Sequence, residues 1–343
     1  MPSAVPKHIV NVYRHASHLP PQVWEAFRRR ERDSNVMYPH ALRACSIEGG
    51  EDVQLWMTCS TFHVAATGEP QLDLVLSCTE GVLGSYPLFI FANTPFDDLG
   101  DDFIRPRLDA IIQGLLNHVH PSRVFSVFAP EPVTRAFAAL WSCYTNIRPY
   151  QEPYYSAKLT YCTKSSLTRR QMTFFADLFY VPRLACDSDI LVIAELCQGF
   201  AMTSEPFVLT PRAALKEARY LVRHRLVWVL EVNRPGEPSD IASIVAVTRS
   251  SANVAGITKV FTNPRWRKRG CAERLVRFVC QQLLLVSHFA DVVLYVAHDN
   301  AAAAGVYRRV GFQGLSDSKI YVEGVDNWLE LGFDRTLVRL GHW

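Results

Sequence analysis

The sequence predicts an α/β fold of the α+β kind: two tandem domains, each a mixed, mainly antiparallel sheet flanked by helices. Three observations carry that prediction. Apolar runs of strand length alternate with longer amphipathic runs of helical period in both halves. The order of runs from residue 72 to 162 repeats in the second half. The 343 residues are about twice the roughly 150 expected of one domain. A polar stretch over 163–171 marks the expected boundary, with a first domain at 1–165 and a second at 166–343.

The second half is the easier to read. Residues 189–199 carry Ile190, Ile193, Ala194 and Cys197 at helical spacing, with Asp187 or Ser188 as the cap and Gly199 as the end. Thr210 caps a second helix with Pro211 at its first position and Ala214, Leu215, Ala218, Leu221 and Val222 on its apolar face. Strands follow at 226–232, 241–248 and 256–262, the first two separated by a turn at Arg234, Pro235 and Gly236. After a basic loop comes a long helix striped by Ala272, Leu275, Val276, Val279, Leu283 and Val286. Residues 292–297 make a fully buried strand, and 300–310 an Ala-rich helix closed by Gly311. Segments 319–325 and 328–333 read as a final hairpin. The stretch Val181, Pro182, Arg183 reads as a soft connection.

In the first half, helices are expected at 24–33, 103–118 and 131–141. Ile104, Leu108, Ile111, Ile112 and Leu115 form the stripe of the second, and Val133, Phe137 and Leu140 that of the third. Strands are expected at 53–59, 72–78, 86–92, 124–128 and 154–162. When 124–129 is laid on 292–297, Pro132 falls opposite Asn300, Arg135 opposite Ala303 and Ala139 opposite Tyr307.

Composition excludes several classes. Hydrophobic residues at 49% and charged residues at 20% are ordinary for a globular chain and far from disorder. Lys plus Arg total 36 against 33 Asp plus Glu, a net charge of +3, too balanced for a dedicated nucleic-acid binder. Gln282, His288 and Asp291 interrupt the longest apolar stretches, so no segment reaches the roughly 18 residues of a membrane span. The nine cysteines contain no C-x-x-C pair and no metal-ligand cluster with histidine, as expected of reduced thiols in an intracellular protein without a metal. The first residues lack the apolar run of a signal peptide, so the expected compartment is the cytoplasm or nucleus. Nothing in the sequence speaks to an oligomeric state.

The most informative feature is the loop Pro264, Arg265, Trp266, Arg267, Lys268, Arg269, Gly270, which follows a strand and opens the long helix. A helix N-terminus offers unpaired backbone N–H groups and the positive end of the helix dipole. Gly270 allows close backbone approach and Ala272 keeps the first turn open. The pattern suits a phosphate. Downstream, the strand 292–297 leads through His298 and Asp299 into Asn300, Ala303, Tyr307, Gly311 and Phe312, spaced N-x-x-A-x-x-x-Y-x-x-x-G-F.

The two motifs together, R-x-x-G-x-A and this second helix signature, each on its proper element and in this order, resemble the GNAT superfamily of acetyl-CoA-dependent N-acetyltransferases over about residues 180–335. The resemblance implies two tandem GNAT-like domains and acetyl-CoA as co-substrate. It implies that Arg267, Lys268, Arg269, Gly270, Cys271 and Ala272 cradle the pyrophosphate. Val260, Phe261 and Thr262 would offer backbone hydrogen bonds to the pantetheine arm, with Asn300 and Ala303 lining the CoA chain. Tyr307 would protonate the departing thiolate. The acidic loop with Asp97 and Asp98 lacks this cradle, so the first half is expected to be a degenerate copy without CoA chemistry.

The match thins at the general base. Lysine-directed members of the family often carry a glutamate on the strand before the loop, and residues 255–259 hold no carboxylate. Substitutes are Glu231, Glu205, His298 and Asp299, with His298 the residue of suitable ordinary pKa; a water chain is a further route. Cys271 reads as a small helix residue rather than a nucleophile, since direct attack by the amine needs no acyl-enzyme. The expected function is therefore transfer of an acetyl or short acyl group to an amine, a small-molecule amine or amino acid first. A protein N-terminus or lysine as acceptor, and an acyl-CoA-sensing module without turnover, stand as alternatives.

Overall fold

The computed structural model describes residues 7–46, 54–62, 69–81, 83–172, 175, 177–316 and 321–342. Its elements, in chain order, begin with β1 (Lys7–Tyr13), α1 (Pro21–Arg29), α2 (Tyr38–Ser46), β2 (Leu55–Phe62) and β3 (Gln71–Cys78). A two-residue hairpin, β4 (Glu80–Gly81) with β5 (Gly84–Ser85), leads to β6 (Leu88–Ala92), α3 (Asp101–Leu116), β7 (Ser126–Pro130) and α4 (Glu131–Thr145). Then come β8 (Tyr155–Thr163), β9 (Phe179–Leu184), α5 (Ile190–Ala201), α6 (Pro211–Arg223), β10 (Val227–Asn233), β11 (Asp240–Ser250) and β12 (Val254–Thr262). The chain closes with α7 (Cys271–Gln281), β13 (Asp291–Ala297), α8 (Ala301–Val310) and β14 (Asn327–Gly332).

Two compact units result: Met1–Ala157 with Asp326–Trp343, and Lys158–Val325. The sheet of the first runs β1-β2-β3-β6-β7-β14, and that of the second β9-β10-β11-β12-β13-β8. The two orders correspond strand for strand. In each, two helices follow the edge strand, one follows the fourth strand and one the fifth. In each, the fourth and fifth strands are parallel and the pairs leading to the first edge are antiparallel. The expected tandem architecture is thus present.

The last strand of each half is the surprise. From Lys158 onward, β8 belongs to the second unit, beside β13, where Thr160 donates to the Gln313 carbonyl and the Gln313 N–H to the Tyr161 carbonyl (2.9 Å). β14 belongs to the first unit and pairs antiparallel with β7, from Trp328↔Pro130 to Gly332↔Ser126. There Ser126 donates to buried Glu330 (2.7 Å) and Thr134 to the Leu329 carbonyl (2.9 Å). The limits consequently differ from a cut at 165/166. The expected closing hairpin is not formed: residues 321–325 contain no strand, and Lys319 and Ile320 lie outside the described residues. Strand length and apolar pattern identify a strand but do not choose between two equivalent open edges.

Three smaller expectations also change. Val181, Pro182 and Arg183 lie in β9, which pairs with β10 at the sheet edge, where a residue without an N–H is tolerated. Gly199 does not end α5, which runs to Ala201. A Cβ there would stand 2.8 Å from the Phe261 ring, so the glycine serves close packing of helix on strand. Neither Asp187 nor Ser188 caps α5; Asp189 accepts from the Cys186 N–H (2.9 Å) and from Arg183 (2.7 Å) and stabilises a 3-10 turn ahead of the helix. The cap at Thr210 forms as expected, accepting from Ala213 (3.2 Å), and Asn300 caps α8, accepting from Ala303 (3.0 Å).

The core of the second unit under α7 and α8 gathers Leu230, Val245, Ile257, Leu275, Val279, Val292, Leu294, Tyr307 and Phe312. The opposite face of the sheet is covered by α5 and α6, since Lys259 and Phe261, alternating with Val260 on β12, reach Glu217 of α6 and Gly199 of α5.

Candidate active site

β12 and β13 pair in parallel from Val254↔Asp291 to Ile257↔Leu294. Beyond that point β12 continues to Thr262 along β11, in register to Ser243↔Thr262, and β13 continues alone to Ala297. Register shifts between Ala246 and Arg249 bend the β11–β12 ladder. A wedge opens between the two parallel strands. The backbone groups of 258–262 that point away from β11 meet no strand there, the Thr262 carbonyl accepting from Arg267 (3.4 Å). Val260, Phe261 and Thr262 lie along this edge.

The loop at the mouth of the wedge is held from within by one aromatic side chain. Trp266 is buried, and its indole N–H donates to Asp240 (2.6 Å). The guanidinium groups of Arg234, Arg265 and Arg269 lie 5.3, 5.5 and 5.0 Å from its ring. With Trp266 turned inward, the following residues turn outward. Lys268 (φ +63°) and Gly270 (φ +73°) take left-handed conformations, and alternation of this kind points successive N–H groups into a shared concavity. The first helical bond runs from the Arg274 N–H to the Gly270 carbonyl (3.0 Å). The N–H groups from Lys268 to Glu273 have no acceptor among the described residues, and Gly270 supplies no side-chain cap. Arg267 folds back over the Phe261 ring at 5.5 Å, and Lys268 stands in solvent. The structure thus brings Arg267, Lys268, Arg269, Gly270, Cys271 and Ala272 together at one anion-ready helix end. Cys271 is buried, and burial pushes its thiol up to about 11, so it is protonated at neutral pH and no nucleophile.

Glu273, in the first turn of α7, anchors the site from below. Its carboxylate accepts from Arg277 (2.9 Å) and Arg309 (2.6 Å) with about 6% of the side chain exposed. Burial alone would raise its carboxyl, but the bonds from Arg309 and Arg277 prevail and hold it below the ordinary value. Neither partner was legible as such in the sequence.

On the far wall, Asn300 caps α8, its side-chain oxygen accepting from the Ala303 N–H. Tyr307 is buried in the core beside Phe312 (5.6 Å), and its hydroxyl bonds no described residue. Burial, then the neighbouring Cys280, push its phenol well above the ordinary value, so the proton stays on the oxygen at any physiological pH. Gly311 (φ +124°) lets the backbone of Ser166 pass where a Cβ would stand 2.1 Å from a carbonyl oxygen.

The candidate bases are scattered. His298 and Asp299 are exposed at the end of β13, beside the wedge. Glu231 lies on β10, two strands from β12, where Arg183 donates to it (2.8 Å) while also holding Asp189; the structure does not bring it to the wedge. Glu205 is exposed in the α5–α6 connection. Sequence reasoning missed Glu217, which α6 carries to Lys259 on β12 (2.7 and 2.8 Å). In the first unit, His8, Cys59 and Asp73 hold potential metal-ligand atoms within 4.8 Å of one another. Asp73 there already accepts from Arg107 (3.0 Å) and Thr61, and the group reads as a closed polar network.

The sequence profile of the Acetyltransferase (GNAT) family matches residues 194–312. None of the curated proteins compared with the chain matches it. Among solved structures, a Drosophila protein shares the fold with a TM-score of 0.54 and 11% identity, over 95% of this chain and 99% of that one. A tandem GNAT protein from the clavulanic acid biosynthesis pathway gives 0.51 at 9%, over 95% and 98%. A GCN5-related N-acetyltransferase from Sphaerobacter thermophilus gives 0.51 at 14%, over 94% of each chain. The wedge, the N–H cradle and the profile coincide on one segment: residues 194–312 match the GNAT acetyltransferase family, in a chain with the fold of tandem GNAT proteins.

Proposed function

We propose that the second unit binds acetyl-CoA in the β12–β13 wedge and transfers its acetyl group to an amine by direct attack. The observation that carries this reading is the run of N–H groups from Lys268 to Glu273 without acceptors, opening onto an unpaired strand edge. A pyrophosphate would take those donors, each charge-assisted bond contributing about 1.5–3 kcal/mol, with Arg267 and Lys268 adding charge. The edge at Val260, Phe261 and Thr262 would bond the pantetheine arm, and Asn300 and Ala303 would line the CoA chain on the α8 side. An N–H of that edge would polarise the thioester carbonyl.

In the reaction the amine nitrogen forms a bond to the acetyl carbon as the carbon–sulfur bond breaks. Tyr307, whose proton is retained at neutral pH, delivers it to the departing thiolate. The amine loses its proton to His298 or to water at the wedge. Glu231 is the weaker candidate because Arg183 holds it away from the site. A small-molecule amine or amino acid is favoured as acceptor by the absence of a carboxylate over 255–259 and of a charged bias across the chain. The first unit takes no part in CoA chemistry in this reading, its counterpart loop being acidic. No described helix is long and apolar enough to cross a membrane, which accords with action in the cytoplasm or nucleus.

Calorimetry with acetyl-CoA, followed by free-thiol release against a panel of amines, amino acids and peptides, tests this directly. Binding with turnover on small amines supports the proposal. Turnover on peptides alone moves the acceptor to protein, and binding without thiol release replaces the enzyme with a sensor.

A further inference from the structure

Positive charge is gathered on one helix of the second unit. Along α6, Arg212, Lys216, Arg219 and Arg223 are all exposed. At about 100° per residue these four lie within about 60° of one another around the helix axis. Arg225, exposed and left-handed (φ +57°), extends the row past the last turn. The opposite side of the helix is buried through Ala214, Ala218, Leu221 and Val222. Glu217, the one carboxylate on α6, is committed to Lys259 (2.7 and 2.8 Å). The side chains of Arg212, Arg219, Arg223 and Arg225 make no hydrogen bond or ion pair with a described residue. These four guanidinium groups alone exceed the net charge of +3 of the whole chain.

The helix gains nothing from this row. Like charges three and four residues apart repel, and Arg212 stands in the first turn, at the positive end of the helix dipole. An anionic partner would relieve both. Beside the row lies α5, whose end the Gln198 side chain ties to the Leu209 carbonyl ahead of α6 (3.3 Å). On α5, Leu191 and Met202 are 69% and 71% exposed, and exposed Glu195 lies between them in the same helical row. A polynucleotide would meet that carboxylate and find no cation in the second row to take its backbone. A bilayer needs an apolar helix face to insert, and that of α6 is buried. An acidic helix fits both rows. Carboxylates at i, i+4, i+7 and i+11 reproduce the spacing of 212, 216, 219 and 223, each guanidinium can take a carboxylate through two N–H groups, and an apolar flank can rest on Leu191 and Met202.

We propose that the outer face of α6 docks an acidic amphipathic helix of a partner protein, with Arg212, Lys216, Arg219 and Arg223 opposite its carboxylates and Leu191 and Met202 against its apolar flank. The charged row sets specificity and speeds encounter, and the two apolar side chains add contact area. The surface does not depend on the acetyltransferase reading of the second unit.

The test follows the fluorescence anisotropy of a labelled helical peptide, with glutamate at i, i+4, i+7 and i+11 and leucine on one flank, titrated with the full chain. A peptide with glutamine in place of glutamate, one with the same residues in scrambled order, oligo-dT, and vesicles of equal phosphatidylcholine and phosphatidylserine are the comparisons. The expected result is saturable binding in the micromolar range that weakens with added salt. It should be about tenfold or more tighter than for the glutamine and scrambled peptides, with oligo-dT and the vesicles bound more weakly. Arg212→Glu with Arg219→Glu should weaken binding about tenfold or more and transfer the preference to a peptide with lysine in place of glutamate. The Tm of that variant should match or exceed that of the wild type, because like-charge repulsion is removed. If the variant is destabilised, Arg219→Gln with Arg223→Gln provides a second variant with the same expected loss. Equal affinity for the scrambled peptide, tighter binding of oligo-dT or of the vesicles, unchanged binding by the variants, or no binding would overturn the proposal.

Discussion

The two wedges of this chain compare the same backbone position under opposite chemistry. In each unit a parallel strand pair separates, an eight-residue loop follows the first strand of the pair, and a glycine starts the next helix. In the second unit the loop is basic and two left-handed residues turn its N–H groups outward. In the first it is acidic and its glycine is extended. The lesson is that the fold sets where a ligand can sit, and a handful of loop residues decide which ligand.

The largest effect should come from cutting the chain. If β8 and β14 complete the sheets in which they lie, a fragment 158–325 unfolds cooperatively, whereas 166–343 lacks β8 and does not; circular dichroism during thermal melting checks this. Equal stability of the two fragments would break the correspondence between the units.

Next is Glu273→Ala. Leaving Arg277 and Arg309 without their buried partner should cost about 3–5 kcal/mol, read from urea midpoints. Because the folded carboxyl lies below its ordinary value, its contribution is full above the unfolded pKa and is lost as the pH falls through the folded pKa. Glu273→Gln should therefore flatten the acid limb of the stability profile.

The pair Arg267→Glu with Gly270→Trp should weaken acetyl-CoA binding about 100-fold or more, equivalent to roughly 2.7 kcal/mol, with Tm little changed, as judged by calorimetry. The first-unit counterparts, Asp97→Asn and Gly100→Ala, should leave it unchanged. Tyr307→Phe is the finest probe: a fall in kcat of about 10- to 100-fold with KM preserved. A KM effect alone would make Tyr307 a core aromatic only.

Much of this was legible in the sequence because local chemistry specified it. Thr210 with Pro211 states its helix start, and the apolar stripe of α3 states its buried face, whereas the stripe expected of α7 overreaches: the helix ends at Gln281 and Val286 is exposed. The R-x-x-G-x-A loop marked the helix start at which N–H groups gather, because a glycine just ahead of a helix specifies that turn locally. What the sequence did not carry is long-range choice. β14 pairs with β7, nearly two hundred residues away, and its own pattern would suit either sheet. β9 was hidden by Pro182, a residue disfavoured in strands except at an edge. Glu217 and Glu273 look like ordinary helical charges until α6 and α7 bring them to Lys259 and to Arg309. Trp266 stood inside a basic run yet points inward, with the guanidinium groups of Arg234, Arg265 and Arg269 gathered about its ring.

The central claim is that one of the two wedges accepts acetyl-CoA and the other does not. Calorimetric titration of the full chain with acetyl-CoA tests it most directly. The account predicts one site per chain, abolished by Arg267→Glu with Gly270→Trp. Two sites per chain, none, or one that survives that pair of substitutions would contradict it.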